Sequence, residues 1–219
     1  MTTAFNKETI AKDIAKSLLD IKAVFLRPSQ PFTWASGIKS PIYCDNRLTL
    51  AYPAIRKQVE TALAATIRKY YPSCQVVMGT ATAGIPHAAI VSEILSLPMG
   101  YVRGGAKEHG RNNRIEGADP SGKKVVVVED LISTAGSSIE VVQTLREAGA
   151  EVLGIVSIFT YNLQKGIDRL REAEVNNISL SDIATLSAVA LDSGTITQKE
   201  QDMIAAFTKD PSNDSWISL

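Results

Sequence analysis

The chain has 219 residues, of which 45% are hydrophobic and 21% charged, and these values are typical of a soluble globular protein with one large or two small domains. Its 23 Lys and Arg residues balance its 23 Asp and Glu residues, so the formal net charge is zero. Because nucleic-acid-binding proteins usually carry a basic excess, this balance argues against a nucleic-acid partner.

A small N-terminal segment, residues 1–72, is predicted to lie against the rest of the same domain. Apolar residues recur at helical spacing over residues 7–22, which indicates an amphipathic helix. Residues 25–50 contain three prolines and are expected to form loops and short strands. Pro53 suits the first turn of a second helix, which ends before Pro72.

From residue 73 to residue 219 the chain alternates between strand and helix patterns. The predicted strands cover residues 75–78, 99–102, 124–129 and 152–159, and the predicted helices cover residues 86–96, 137–148, 163–173, 181–191 and 197–208. This alternation indicates an α/β fold whose mainly parallel, twisted sheet is flanked by helices. A polar tail is expected to follow the last helix.

Residues 103–117 are predicted to form a mobile loop, because glycines alternate there with charged residues. The basic side chains of this loop are Arg103, Lys107, His109, Arg111 and Arg114. In a protein without net charge, this cluster is a candidate anion site. The alternative is a solvated surface insertion, since charged loops are common.

The strongest signal for a functional site follows the valine-rich strand at residues 124–129. Two adjacent carboxylates, Glu129 and Asp130, precede a turn rich in Ser, Thr and Gly that leads into a helix. Free N–H groups at a helix N-terminus suit a phosphate, whereas carboxylates suit the hydroxyls of a sugar or a bound Mg²⁺. The alternative is a buried strand followed by a helix that Asp130 or Ser133 merely caps.

Residues 123–138, KKVVVVEDLISTAGSS, resemble the 5-phosphoribosyl 1-diphosphate signature of the type I phosphoribosyltransferases. Residues 32–50, 79–89 and 101–117 are similar, in the same order, to segments of the orotate phosphoribosyltransferases. The resemblance covers most of residues 10–165. It implies the type I phosphoribosyltransferase fold with an N-terminal hood. It also implies a pentosyltransferase that converts orotate and this diphosphate to orotidine 5′-monophosphate and pyrophosphate in pyrimidine (UMP) biosynthesis.

The resemblance also implies a role for individual residues. Lys107, His109 and Asp130 would be catalytic, and Ser133 would contact orotate. The residues that would bind the diphosphate substrate are Arg103, Lys107, His109, Glu129, Asp130, Leu131, Ile132, Ser133, Thr134, Ala135, Gly136 and Ser137. Mg²⁺ would be the cofactor, held mainly through substrate and water. The enzyme would be a homodimer whose mobile loop closes over the active site of the neighbouring subunit.

The sequence departs from the family pattern at four positions. Members of the family can carry lysine where this chain has Ala35, Ala83 and Gly104. The usual Ser-Thr-Gly-Gly-Ser turn has alanine at its third position, Ala135. From that alanine we predict that the backbone there does not need a positive φ.

Two other functions remain open from the residues alone. A phosphoribosyltransferase for a different base would share residues 123–138. A regulatory protein that only senses the diphosphate compound would keep the phosphate site without needing a catalytic loop. The presence of Arg103, Lys107 and His109 argues against such a sensor.

The remaining features concern metal sites, the core and the compartment. Two cysteines and two histidines do not provide a disulfide framework or the usual zinc ligand sets. His87 is expected to be structural, and the aromatic rings of Phe32 and Trp34 are expected to lean toward the core. Neither the N-terminus nor any apolar run resembles a signal peptide or a membrane span, so we expect a cytoplasmic protein without a membrane partner.

Overall fold

The computed structural model describes residues 5–34, 37–104 and 114–219. Helix α1 (Lys7–Asp20) is capped by Asn6, whose side chain accepts hydrogen bonds from two main-chain N–H groups of the first turn. The short strands that follow form two antiparallel pairs: β1 (Val24–Leu26) with β4 (Ile42–Cys44), and β2 (Phe32–Thr33) with β3 (Lys39–Ser40). A 3-10 helix (Asn46–Ala51) leads into α2 (Pro53–Tyr70), which begins with proline as predicted.

The rest of the chain alternates between longer strands and helices. The strands are β5 (Val76–Thr80), β6 (Met99–Val102), β7 (Ile115–Gly117), β8 (Lys124–Ile132), β9 (Glu151–Thr160) and β10 (Asn177–Asp182). The helices are α3 (Gly84–Leu95), α4 (Gly136–Glu147), α5 (Gln164–Glu172), α6 (Ile183–Asp192) and α7 (Gln198–Lys209). The predicted α/β fold is therefore confirmed.

The central sheet has six strands in the order β10-β9-β8-β5-β6-β7. Every neighbouring pair is parallel except β6 and β7. The chain first moves from β5 to β6 on one side and then returns to place β8 on the other side of β5. The direction of winding thus reverses between β5 and β8, and the carboxyl ends of strands at such a reversal are where open α/β sheets bind ligands.

Three parts of the core differ from the sequence predictions. Strand β10 was not predicted, although Ile178 and Leu180 alternate with polar residues over its short length. Strand β7 lies inside the predicted loop 103–117 and pairs with β6. Strand β8 continues to Ile132, three residues beyond its predicted end, because β9 pairs with it over that length. Asp130 therefore lies within the strand.

The C-terminal residues are not a free polar tail. Trp216 is 1% exposed, and its ring lies 5.6 Å from the ring of Phe207. Trp34 stacks on Tyr161 and meets Phe207 edge-on, which confirms that Trp34 belongs to the core. A single hydrophobic cluster extends from Ile14 in α1 to Trp216.

His87 is structural, as predicted. It is fully buried in α3, and its Nδ1 lies 2.6 Å from Oε1 of the equally buried Glu60 in α2. Burial raises the pKa of Glu60, and the hydrogen bond with His87 opposes this shift. This pair connects helices α2 and α3.

Cys44 and Cys74 are both free thiols. Within the described ranges, none of the helices has the length and apolar character needed to cross a membrane.

Candidate active site

Glu129 connects β5, β8 and α4 at the point where the winding reverses. Its Oε1 accepts hydrogen bonds from Thr80 Oγ1 at 2.7 Å and from the main-chain N–H of Asp130 at 2.9 Å. Its Oε2 accepts a hydrogen bond from Ser138 Oγ at 2.9 Å. Burial raises the pKa of Glu129 to about 7, and the neighbouring Asp130 adds to the shift. Both carboxylate oxygens of Glu129 are therefore engaged inside the protein.

Asp130 has a different environment, although it is the next residue. Its side chain is half-buried, and it interacts with the neighbouring carboxyl group of Glu129, whose pKa it helps to raise. Its main-chain carbonyl accepts a hydrogen bond from Asn46 Nδ2 at 2.7 Å. Of the two adjacent carboxylates, Asp130 is the more exposed one, whereas Glu129 is buried and bonded to Thr80 and Ser138.

The turn after β8 leads into α4 through an unusual backbone conformation. Ala135 has φ 59° and ψ 6°, which is the left-handed region. The prediction that this position does not need a positive φ is therefore wrong. A left-handed alanine costs roughly 1–2 kcal/mol, so the turn adopts this shape despite its sequence.

The first turn of α4 retains its free N–H groups. Among the described residues, no side chain caps this helix, whereas helix N-termini are usually capped by Ser, Thr, Asp or Asn. Gly136 and Ser137 are exposed at this end. Unpaired N–H groups and the positive end of the helix dipole favour an anion at this position.

The other residues of the predicted signature divide between turn and core. Ser133 and Thr134 are half-buried in the turn. The Ile132 side chain is 2% exposed and belongs to a hydrophobic cluster, and Leu131 packs against the main core. Ser133 also borders a cavity of about 520 Å³ beside α5, a size typical of small-molecule sites.

Helix α5 supports the turn from behind. A side chain at Gly166 would place its Cβ 2.5 Å from the carbonyl oxygen of Ser133, so only glycine permits this approach. One turn later, Arg169 Nη1 donates a hydrogen bond to the carbonyl oxygen of Thr134 at 3.2 Å. The turn is thus held from outside its own sequence.

The turn after β5, residues 79–84, lies next to Glu129. A Cβ on Gly84 would meet Thr80 Oγ1 at 2.4 Å and the carbonyl oxygen of Val128 at 2.5 Å. Glycine at this position therefore lets α3 begin directly against β5 and β8. Ala81 and Thr82 are exposed at the carboxyl edge, and the peptide bond between them is cis.

Arg103 follows β6 at the same edge of the sheet. Its side chain forms an ion pair with Glu116 at 3.3 Å, and its main-chain N–H donates to the carbonyl oxygen of Arg114 at 2.8 Å. These contacts form the base of the predicted loop. Lys107 and His109 lie outside the described residues, so their predicted roles remain predictions.

Two residues that organise the site were not predicted to do so. Thr80 is not one of them, because it lies in the segment at residues 79–89 that carries the family resemblance and follows a predicted strand. Asn46 and Arg169 are separated from their partners by 84 and 35 residues. Local sequence patterns contain no signal for such distant contacts.

The comparisons with known proteins identify the family. A model of the phosphoribosyl transferase domain matches residues 49–193. The chain is 56% identical over 207 residues to an orotate phosphoribosyltransferase of Bacillus cereus, covering 94% of this chain and 99% of that protein. These matches confirm the resemblance seen in the sequence.

Two solved structures are also similar. An orotate phosphoribosyltransferase from Aeropyrum pernix superposes with a TM-score of 0.72 at 28% identity, covering 84% of this chain and 99% of the other. Leishmania donovani UMP synthase gives a TM-score of 0.79 at 28% identity, covering 94% of this chain, which spans 43% of that larger protein. The structural matches therefore agree with the domain and sequence matches, and the chain belongs to the orotate phosphoribosyltransferase family.

Proposed function

We propose that this protein transfers the phosphoribosyl group of 5-phosphoribosyl 1-diphosphate to orotate, giving orotidine 5′-monophosphate and pyrophosphate. The observation that carries the proposal is the arrangement of β8 and α4. The half-buried carboxylate of Asp130 precedes a helix N-terminus that no side chain of the described residues caps. A sugar phosphate requires both features, because its hydroxyls seek acceptors and its phosphate seeks donors.

In this proposal, Asp130 accepts hydrogen bonds from the ribose hydroxyls. The N–H groups of the turn and of the first turn of α4 bind the 5-phosphate, together with the hydroxyls of Ser133, Thr134 and Ser137. Glu129 supports the ribose site from within, because its oxygens are already bonded to Thr80 and Ser138. Leu131 and Ile132 contribute to substrate binding through their main chain. The side chain of Leu131 packs against one hydrophobic cluster, and that of Ile132 lies within the other.

Breaking the bond between ribose C1 and the diphosphate oxygen leaves positive charge on the sugar and negative charge on the leaving group. Cations around the leaving diphosphate stabilise that transition state most strongly when water is excluded. Arg103, Lys107 and His109 are the residues assigned to this role by the family resemblance.

Mg²⁺ is the proposed cofactor, and the residues present fit an ion held mainly by the substrate. No group of three or more His, Cys, Asp or Glu side chains in the described ranges could hold a metal by itself. Both oxygens of Glu129 are occupied, which leaves Asp130 as the carboxylate of the pair that is available. Bound in this way, Mg²⁺ would neutralise the diphosphate charge, since it commonly binds through phosphates, water and one or two carboxylates.

A spectrophotometric assay tests this function directly. Orotate loss should depend on the diphosphate donor and on Mg²⁺, and uracil should be a poor substrate. A site built to bind the orotate carboxylate rejects an analogue without it, because its donors then remain unpaired. Adenine, hypoxanthine and guanine should not react in a site for a single ring. Comparable turnover of uracil or of a purine would refute the assignment to orotate and leave phosphoribosyl transfer standing.

We also propose a cytoplasmic homodimer in which Lys107 of one subunit completes the site of the other. The free thiols of Cys44 and Cys74 support the cytoplasmic compartment, because reduced cysteines are typical of it.

The shared site is tested by refolding the Lys107→Ala variant together with the Asp130→Asn variant. If sites are shared, half of the randomly formed dimers are mixed and each has one intact site, so about a quarter of wild-type activity should return. Activity no greater than the average of the two parents would mean that the loop serves its own subunit.

A further inference from the structure

The carbonyl groups of β8 show where strand pairing stops. The carbonyl oxygen of Lys124 accepts a hydrogen bond from Gln75 N at 2.8 Å, and that of Val128 accepts one from Thr80 Oγ1 at 3.4 Å. Both bonds come from the β5 side. The carbonyl oxygen of Ile132, at the end of β8, instead accepts a hydrogen bond from Tyr161 N at 3.0 Å on the β9 side.

Strand β5 does not extend far enough to pair with Asp130. The pairing of β5 with β8 ends at Gly79 and Val128, and β5 itself ends at Thr80. The Asp130 carbonyl lies two residues beyond the last pair. A buried carbonyl without a partner is costly, so this position needs a donor from outside the sheet.

Asn46 supplies that donor from the N-terminal segment. Its Nδ2 donates to the Asp130 carbonyl oxygen at 2.7 Å, and the residue is 1% exposed. Its Oδ1 accepts a hydrogen bond from Cys44 Sγ at 3.2 Å, and its main-chain oxygen accepts one from Thr49 Oγ1 at 2.6 Å. Contacts with Cys44 and Thr49 in its own segment therefore hold Asn46 in the orientation in which its amide donates to β8.

We propose that Asn46 is a positioning residue for Asp130. Its side-chain amide donates to the main chain of β8 beyond the last residue paired with β5, and so fixes the peptide that carries the Asp130 carboxylate. The inference rests on the proposed function, which gives Asp130 its role at the ribose. This positioning role explains why the ribose site needs a contact from the N-terminal segment, 84 residues away in the chain.

The test compares Asn46→Ala with Ser181→Ala. Ser181 is buried, and its Oγ also donates to a main-chain carbonyl of a distant element, that of Ala11 at 2.9 Å. Both variants lose a buried hydrogen bond and are expected to melt at lower temperature. Only Asn46→Ala should also lower kcat/KM per folded molecule. The expected loss is about tenfold, which corresponds to the free energy of one hydrogen bond. Asn46→Asp, which keeps the size of the side chain but lacks the donor, provides a second variant if Asn46→Ala does not fold.

A double-mutant cycle separates positioning from general damage. If Asn46 acts through Asp130, then Asn46→Ala should cost less than twofold in kcat/KM when Asp130 is already asparagine, because coupled residues are not additive. The inference is overturned if the effects of the two substitutions on kcat/KM are fully additive. It is also overturned if Asn46→Ala leaves kcat/KM unchanged, or if Ser181→Ala lowers kcat/KM by the same factor. Failure of the proposed function would be visible separately, since the wild-type protein would then not consume orotate.

Discussion

Two strands of the same sheet carry an aspartate at or near the end that leads into a helix, and the two aspartates have different partners. At the end of β10, the Asp182 side chain accepts a hydrogen bond from Thr185 N at 2.8 Å and caps α6, which starts at the next residue. Asp130 near the end of β8 does not cap α4. That helix starts six residues later, after a left-handed Ala135, and has no side-chain cap from the described residues.

The difference separates a structural unit from a binding unit. In β10 and α6, the carboxylate and the helix N–H groups satisfy each other. In β8 and α4, the acceptor and the donors are kept apart, so both remain available to a ligand that carries hydroxyls at one end and a phosphate at the other. The strained turn at Ala135 is consistent with this role, because backbone strain persists where the surrounding structure enforces it.

The largest expected effect distinguishes the two aspartates. Asp130→Asn should lower kcat/KM by ten- to a hundredfold, since losing a charged hydrogen-bond acceptor costs about 1.5–3 kcal/mol. Asp182→Asn should leave activity unchanged, because asparagine caps a helix as well as aspartate does. Steady-state kinetics measure the first effect, and thermal unfolding should show little change in either variant.

Equal losses of activity in both variants would mean that the comparison of the two units is wrong. Full activity in Asp130→Asn would remove Asp130 from the site.

The second prediction concerns the buried carboxylate beside Asp130. Burial raises the pKa of Glu129 from 4.5 to about 7, so between these pH values the folded protein holds a proton that the unfolded chain releases. The free energy of unfolding must therefore fall as pH rises through this window and level off above it. The contribution of Glu129 should decrease by about 2 kcal/mol between pH 5 and pH 7.5.

Glu129→Gln should remove that part of the pH dependence, because glutamine does not titrate. Denaturant unfolding at several pH values measures it, with Glu172→Gln on the exposed surface of α5 as the control. The prediction fails if Glu129→Gln and wild type lose stability in parallel from pH 5 to pH 7.5.

The sequence predicted those parts of the molecule that depend on local patterns. The valine run of β8 and the helical spacing of α1 set the fold class, and the acid pair with its turn located the site. The family resemblance implied a catalytic role for Asp130 and not for Glu129, but the residue pattern alone did not distinguish them, because their difference arises from Thr80 and Ser138 around only one of them. It also missed the positive φ of Ala135, because the contacts that hold the neighbouring Ser133 and Thr134 come from α5, which is distant in the sequence.

The third prediction tests that packing. Arg169→Gln should raise the KM for the diphosphate substrate by roughly fivefold, because the carbonyl of Thr134 loses a hydrogen bond worth about 1 kcal/mol and the turn is held less firmly. Arg171→Gln is the matched control, since Arg171 lies two residues away, is exposed and pairs with Asp168 on its own helix. The KM for orotate should stay the same in both variants. Equal changes in both variants would show a general effect of charge.

The smallest expected effect comes from the backbone of the turn itself. Ala135→Gly should increase the free energy of unfolding by about 0.5–1 kcal/mol, because glycine adopts a positive φ without the steric cost that alanine carries. Part of that gain is offset by the greater freedom of glycine in the unfolded chain and by the loss of a buried methyl group. Activity should remain close to wild type, since no side-chain contact with substrate is removed. A lower melting temperature in Ala135→Gly would contradict this prediction. It would show that packing of the alanine methyl group stabilises the turn by more than the left-handed backbone destabilises it.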